Sequence, residues 1–551
     1  MPALDQPQLE RLFPVLSTAQ MARLSAHGRR RATRAGDVLV EPGARPAPLF
    51  HVLAGGLEIA RVADGAETII ATLRPGQFTG ETNLITGRPA LARVRVTEPG
   101  EVVELDREQF LALVQTDAEL SEILMRAFIL RRVELIARGY GDAVLVGSPH
   151  CAGTLRIKQF LIRNGHPHAF IDLDRETDAQ ELLDRFHVTA ADIPVLICRG
   201  ETVLRNPSNK EIADCLGFND AVETTHIRDL IIVGAGPAGL AAAVYGASEG
   251  LDVLVLESNA PGGQAGASSR IENYLGFPTG ISGAELTGRA SSQALKFGAQ
   301  LLIAKSATGL VCDRQPYSVH VDGGPAMPAR AVIIATGAEY RRPPIANLSQ
   351  FEGAGVYYAA TPMEAQLCAG MEVIVVGGGN SAGQAAVFLA QSSAHVHMLV
   401  RGDGLAETMS RYLIRRIEDS PSITLHTRTE IVALEGNGHL ERVGWSQQQA
   451  STEMHDIRHV FMMTGAVPNT AWIRGCLALD DKGFIKTGTD LSDNDLTAAR
   501  WPLSRAPYLL ETSRPGVFAV GDARGGNIKR VASAVGEGSI AVAFVHQVLS
   551  Q

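Results

Sequence analysis

From Arg228 onward the apolar positions fall in short unbroken runs: Leu230-Ile-Ile-Val233, Val253-Leu-Val-Leu256 and Val373-Ile-Val-Val376. Each run is followed by a glycine turn or an acid and then by residues at helical spacing. That alternation predicts buried parallel strands and covering helices, hence doubly wound α/β sheets. The chain before Arg228 is patterned differently. It opens on a polar helix expected over Pro7–His27, continues as short β-rich segments with glycine turns such as Phe50–Arg61, and then reads as helix over Asp106–Ala137. From Ala143 to about Gly217 the pattern is strand–helix–strand–strand–helix, a compact block of its own. No short-period repeat is present.

Two of the strand ends carry glycine-rich phosphate-binding fingerprints about 140 residues apart: Gly234-Ala-Gly236-Pro-Ala-Gly239, then Gly377-Gly-Gly379-Asn380-Ser381-Ala382. Glycines in such a turn let the backbone approach a pyrophosphate, which rests on the N-terminus of the next helix. Glu257 closes the strand after the first fingerprint and is placed to accept hydrogen bonds from both hydroxyls of an unmodified ribose. The equivalent position after the second is Val400, followed by Arg401. Loss of the acid beside a guanidinium favours a 2′-phosphate, hence NADPH over NADH. Arg411, Arg415 or Arg416 would be stand-ins for further phosphate partners. Two nucleotide sites imply two redox nucleotides and a passage of electrons between them.

Composition sets the limits. The 551 residues suffice for about three to four domains, and a formal charge of −9 argues against a nucleic-acid or anionic-membrane partner. No apolar stretch is expected to reach the roughly 18 residues of a bilayer crossing, and the start has neither the basic region nor the apolar core of a signal peptide. Six cysteines (151, 198, 215, 312, 368, 476) are scattered with no C-x-x-C, which excludes a zinc cluster or a local disulfide pair and suits a cytoplasmic protein. No metal site is expected.

Further motifs resemble the flavin domain of the low-molecular-weight thioredoxin reductase family. Gly262-Gly263-Gln264 and Glu272-Asn273-Tyr274 resemble its flavin-contacting loop, and Ala335-Thr336-Gly337 and Gly465-Ala-Val-Pro468 its two strand-end turns. Gly516-Val-Phe-Ala-Val-Gly521-Asp522 resembles the closing motif, whose Asp reaches the flavin ribityl chain. Arg530, Val531, Ala532 and the helix they begin would lie under the ring system. The resemblance implies FAD, with the second fingerprint inserted between the halves of the flavin domain. That family carries a C-x-x-C just before the second fingerprint, and here the stretch is Ala359-Ala-Thr-Pro362. A thiolate is needed to attack a disulfide. Electrons are therefore expected to leave the flavin directly, as in ferredoxin–NADP reductases of the same superfamily.

Upstream, Val144-Leu-Val-Gly-Ser-Pro-His-Cys151-Ala-Gly-Thr154 resembles the redox turn of glutaredoxin- and thioredoxin-like domains, and Asp192-Ile193-Pro194-Val195 their cis-proline strand. Cys151 holds the first thiol position and Thr154 the second, so Cys151 is a candidate monothiol, and Cys368 a second candidate thiol. The N-terminal zone resembles a cyclic-nucleotide-binding domain, with Gly76-Gln-Phe-Thr-Gly80-Glu81 as the start of the phosphate cassette. The arginine of that family is replaced by Ala90 and Leu91, leaving Arg88 or Arg93 to meet a cyclic phosphate from a shifted loop. The expected organisation is 1–140 cyclic-nucleotide-binding-like, 141–222 thioredoxin-like, 226–340 and 465–551 FAD-binding, and 341–464 NAD(P)H-binding. The resulting expectation is a homodimeric NADPH-dependent flavoprotein oxidoreductase that serves an unidentified acceptor, either a redox protein such as ferredoxin or thioredoxin or a small molecule. The alternatives are a disulfide reductase using Cys151 or Cys368, and a ligand-gated redox sensor.

Overall fold

The computed structural model describes residues 6–63, 66–149, 151–174, 192–268, 270–447 and 452–551. The N-terminal zone is a five-stranded antiparallel β-roll built around the long strands Leu49–Ala63 and Arg93–Leu105. Both helices expected there are split. Ser17 and Gln20 form a reciprocal capping box that starts a new helix, Thr18–Ser25, after Gln6–Leu12. Asp117 accepts from Leu120 N–H at 3.0 Å, ending Arg107–Thr116 and starting Ala118–Arg138. Phe110 and Phe128 stack, and Phe78 packs beside Phe128, at the base of this unit.

The middle block has one strand more than its pattern suggested. Its sheet runs His168–Asp172, Ala143–Gly147, Val195–Cys198, Thr202–Arg205, with the first pair parallel and the others antiparallel. Helix Ala152–Arg163 covers one face, and the Ile193–Pro194 peptide is cis.

Beyond residue 228 lie two sheets with parallel cores, the first of them mixed, with Tyr317–Val321 and Ala307–Val311 added antiparallel beyond Met327–Ile334. The first orders Gln300–Ile303, Val253–Glu257, Arg228–Val233 and Met327–Ile334 side by side, with Val517–Ala519 parallel to Met327–Ile334. The second is Val356–Tyr357, Val460–Met462, Glu372–Val376, His395–Leu399, Ile423–His426. The chain leaves the first sheet through Ala338–Tyr340 and returns through Ala466–Pro468, which pair antiparallel. The second unit is thus an insertion into the first.

One expectation needs correction. Helix Val531–Leu549 is long and apolar enough to cross a bilayer by length and composition. It packs instead on helix Pro237–Ser248: Ala541, Val542 and Val545 are buried, and a Cβ at Gly538 would meet the Ala238 carbonyl at 2.1 Å. The cysteines form no local pair, yet the fold joins Cys312 to Cys476 in a disulfide across 164 residues.

Candidate functional site

A cleft of about 2360 Å³ opens between the carboxyl ends of the two parallel sheets and is lined by both fingerprints. At its end on the first sheet, two positions of the fingerprint admit only glycine. Gly234 has φ +103°, and a Cβ on Gly239 would stand 1.9 Å from the Gly234 carbonyl oxygen. Gly239 therefore supports the turn from below, while Gly234, Gly236, Gly263, Gln264, Asn273, Thr336, Gly337, Asp522, Arg530 and Val531 line the cleft and Ala532 does not. Gln264 donates to the Ala338 carbonyl, tying the Gly262–Gln264 loop to the strand that leaves the sheet.

Glu257 is buried, and its two oxygens accept from Ala235 N–H at 2.8 Å and Asn259 N–H at 2.9 Å. Burial pushes its carboxyl above the usual range, against the lowering by those backbone hydrogen bonds. Asp522 is raised in the same direction by desolvation and accepts no hydrogen bond from the described residues. A buried carboxyl at the strand end, a carboxyl in the cleft with no donor among the described residues and a turn closed to side chains together fit an adenine dinucleotide.

At the inserted unit, Gly377, Gly379, Asn380, Ser381 and Ala382 open onto the same cleft. Asn380 accepts from Ser410 N–H at 2.7 Å and Thr408 donates to the Gly378 carbonyl at 2.7 Å, so residues 408–410 brace this turn. Arg401 lines the cleft, is exposed, and makes no ion pair with any described residue. Arg416 is committed elsewhere: it pairs at 2.7 Å with Glu272 of the first unit, a tie between the two units.

Ala359, Ala360, Thr361 and Pro362 form the wall where a dithiol would stand, and among the described residues no cysteine lines the cleft. Glu364 reaches back to the Thr361 backbone N–H at 2.9 Å and also accepts from the Thr361 hydroxyl. Cys368 lies behind this wall, fully buried, its thiol directed at the Ala365 carbonyl at 3.7 Å and pushed up in pKa by burial. Cys312 and Cys476 also lie outside the cleft. Cys151 is half-buried at the N-cap of helix Ala152–Arg163, and Pro194 lies 3.0 Å from the Cβ position of Gly153. Thr154, in the second thiol position, is completely buried.

Sequence reasoning missed a third wall. Gln159, Ile162 and Arg163 of the middle block also line the cleft. Nothing in the local pattern marks them, because the helix face they share looks like any amphipathic face until its partner is known.

The β-roll pocket is a separate, mostly apolar cavity of about 120 Å³ lined by Gly80, Glu81, Ala90 and Leu91 among others. Its Glu81 pairs at 2.6 Å with Arg132 of helix Ala118–Arg138. Neither stand-in arginine faces it. Arg93 pairs with Glu41 and Glu67, while Arg88 turns outward, donates to the Asn164 carbonyl at 2.9 Å and covers the Phe218 ring at 4.1 Å. The apolar enclosure lowers the Arg88 guanidinium to about 9.

Residues 228–538 match the family model described as pyridine nucleotide-disulphide oxidoreductase, and residues 30–117 match the cyclic nucleotide-binding domain. A thioredoxin reductase of Bacillus subtilis is 32% identical over 326 residues, covering 59% of this chain and 96% of that protein. NADPH-dependent thioredoxin reductase 3 of Arabidopsis thaliana is 28% identical over 369 residues, covering 64% of this chain and 66% of that one. The crystal structure of Lactococcus lactis thioredoxin reductase (FR conformation) superposes with a TM-score of 0.52 at 25% identity, over 59% of this chain and all of that one.

Proposed function

The chain belongs to the pyridine nucleotide-disulphide oxidoreductase family, and from that premise we propose that it is an NADPH-dependent FAD oxidoreductase whose reduced flavin discharges to a separate acceptor instead of a neighbouring dithiol. The observation that carries this is the wall Ala359–Pro362: the thioredoxin-reductase-like cleft is otherwise furnished, but that wall has no sulfur. FAD held by these residues would supply the redox chemistry, hydride acceptance from NADPH and electron transfer to an acceptor. The chain's own residues bind and orient. Glu257 and Asp522 offer acceptors to ribose and ribityl hydroxyls, and the two helix N-termini after Gly236 and Gly379 face phosphate groups. Arg401 offers a free cation for a 2′-phosphate, in line with the name of the Arabidopsis relative. No side-chain acid or base is required, since hydride carries its own electron pair. The acceptor is a redox protein such as ferredoxin or thioredoxin, or a small molecule. Anaerobic stopped-flow with a panel of acceptors tests this. Rapid flavin bleaching by NADPH, followed by reoxidation with at least one acceptor in Cys151→Ser and Cys368→Ser alike, is the expected outcome. A flavin that NADPH leaves oxidised refutes it.

A second reading keeps disulfide chemistry and assigns it to Cys151. It is favoured by position: Ala152, next in the chain, stands 2.9 Å from the Cβ position of Gly353 on the cleft wall. A monothiol closes no internal disulfide, so this reading needs a partner thiol, and loss of disulfide turnover in Cys151→Ser would support it. A nucleotide that regulates through the β-roll must compete with Arg132 for Glu81, so calorimetry with cyclic AMP and cyclic GMP should show weak binding that Glu81→Ala abolishes, and no heat with either nucleotide would exclude these two as regulators.

A further inference from the structure

Helix Ala152–Arg163 carries one face whose use is not explained by a thioredoxin-like fold. Ala152, Leu155, Gln159 and Arg163 stand at i, i+3, i+7 and i+11 and so share a side of the helix. That side lies on the reductase. Ala152 touches Gly353, Leu155 joins the core around Tyr357 and Ala365, and Gln159 donates to Glu364 at 2.6 Å. These three contacts engage the inserted unit, and the fourth crosses to the flavin unit. Arg163 Nη2 donates to the carbonyls of Gly263 at 2.8 Å and Ala260 at 3.3 Å.

A guanidinium has five N–H donors. In Arg163 both hydrogen bonds to the loop use Nη2, Nη1 donates to no described residue, and Nε is buried without a partner. Its hydrogen bonds go to neutral carbonyls in a place that desolvates it, and the Glu257 carboxyl, whose field acts on it without a hydrogen bond, only partly offsets that cost, so a further anion would be favoured. The place is specific. Arg163 lines the cleft with Glu257 and Gly263, and the Gly263 Cα lies 4.0 Å from the Cβ position of Gly236, the N-cap of the fingerprint helix. Dinucleotide phosphates rest on such an N-terminus.

We propose that Arg163 is a cofactor-binding residue of the FAD site, supplied by the middle domain: Nη2 holds the Ala260–Gly263 loop and Nη1 is left to donate to the dinucleotide phosphates, so that flavin binding and docking of the middle domain strengthen each other. The proposal rests on the FAD reading above. The strengthening is reciprocal, as any linkage between two binding equilibria must be. Through Arg88, which holds the Asn164 carbonyl at the end of the same helix, the β-roll leans on this element too.

The test uses full-length protein stripped of flavin and titrated with FAD by fluorescence quenching. In parallel, thermolysin cleavage in the exposed segment 221–227 reports docking. Arg163→Ala should weaken FAD about 10- to 100-fold, the loss expected for one charge-assisted contact, and Arg163→Lys should recover part of it. Saturating FAD should slow cleavage of the wild type and not of Arg163→Ala. Equal FAD affinity in Arg163→Ala and wild type, with or without faster cleavage, overturns the proposal and leaves Arg163 as an interdomain staple. Should Arg163→Ala fail to fold, Gln159→Ala loosens the same helix from the opposite unit and must weaken FAD at least about threefold, with unchanged affinity again overturning it. A wild type that binds no FAD would defeat the cofactor reading instead.

Discussion

Gly239→Ala tests the flavin turn most sharply, because the obstacle is backbone and cannot rotate away. The added Cβ would stand 1.9 Å from the Gly234 carbonyl oxygen, 3.0 Å from its carbon and 3.3 Å from the Ala335 Cβ. Ordinary contact begins at 3.4 Å, so the turn must open by about 1.5 Å. Gly234 is already at φ +103° and Ala335 is buried in the sheet, so relief has to come from moving the residues that cradle the phosphates. A displacement of that size takes one to two backbone N–H groups out of hydrogen-bond range of an anion, at about 1.5–3 kcal/mol each. FAD affinity should fall by about one to four orders of magnitude. The assay is fluorescence titration of flavin-free protein, with circular dichroism to establish that the sheet survives. A Gly239→Ala protein that purifies with a full complement of FAD, and binds it within about threefold of wild type, refutes the assignment of this turn to the dinucleotide.

Other expectations follow from single contacts. Arg401→Ala should raise the KM for NADPH about 10- to 100-fold and leave that for NADH nearly unchanged, which steady-state kinetics with both donors will show. If both KM values move equally, Arg401 does not read the 2′-phosphate. His397 and His426 lie 3.2 Å apart under Trp445, with His395, His455, Glu372 and Glu453 around them. Burial is the main cause that lowers both below 6.5, so the unfolded chain takes up protons before the folded one does. Stability from this pair is complete above pH 6.5 and declines as pH falls below it; the melting temperature should drop with acidification, and His426→Gln should flatten that slope.

The parts legible in the sequence were those whose chemistry is local. A strand, a glycine turn and an acid at fixed spacing identify Gly234–Glu257 without any tertiary information, and the absence of sulfur from Ala359–Pro362 is a plain reading of four residues. Helix boundaries were legible in principle: Ser17 with Gln20, and Asp117 before Leu120, are local caps that the apolar periodicity alone overran. What depended on the meeting of distant segments was hidden. Glu81 loses its availability to Arg132, 51 positions on, and Arg88 turns away because Asn164 and Phe218 of another block receive it. The Cys312–Cys476 bond and the wedge of Leu155, Gln159 and Arg163 against the reductase have the same origin. No spacing rule connects residues that only the packing of separate sheets brings together.

The central claim is that electrons entering from NADPH stop on the flavin until an outside acceptor takes them. Counting thiols in denatured protein before and after anaerobic reduction by NADPH tests it directly. The chain has four free cysteines beside the Cys312–Cys476 disulfide, and the count should be four both times. A gain of two thiols on reduction would show that a disulfide takes the electrons, and would contradict the account.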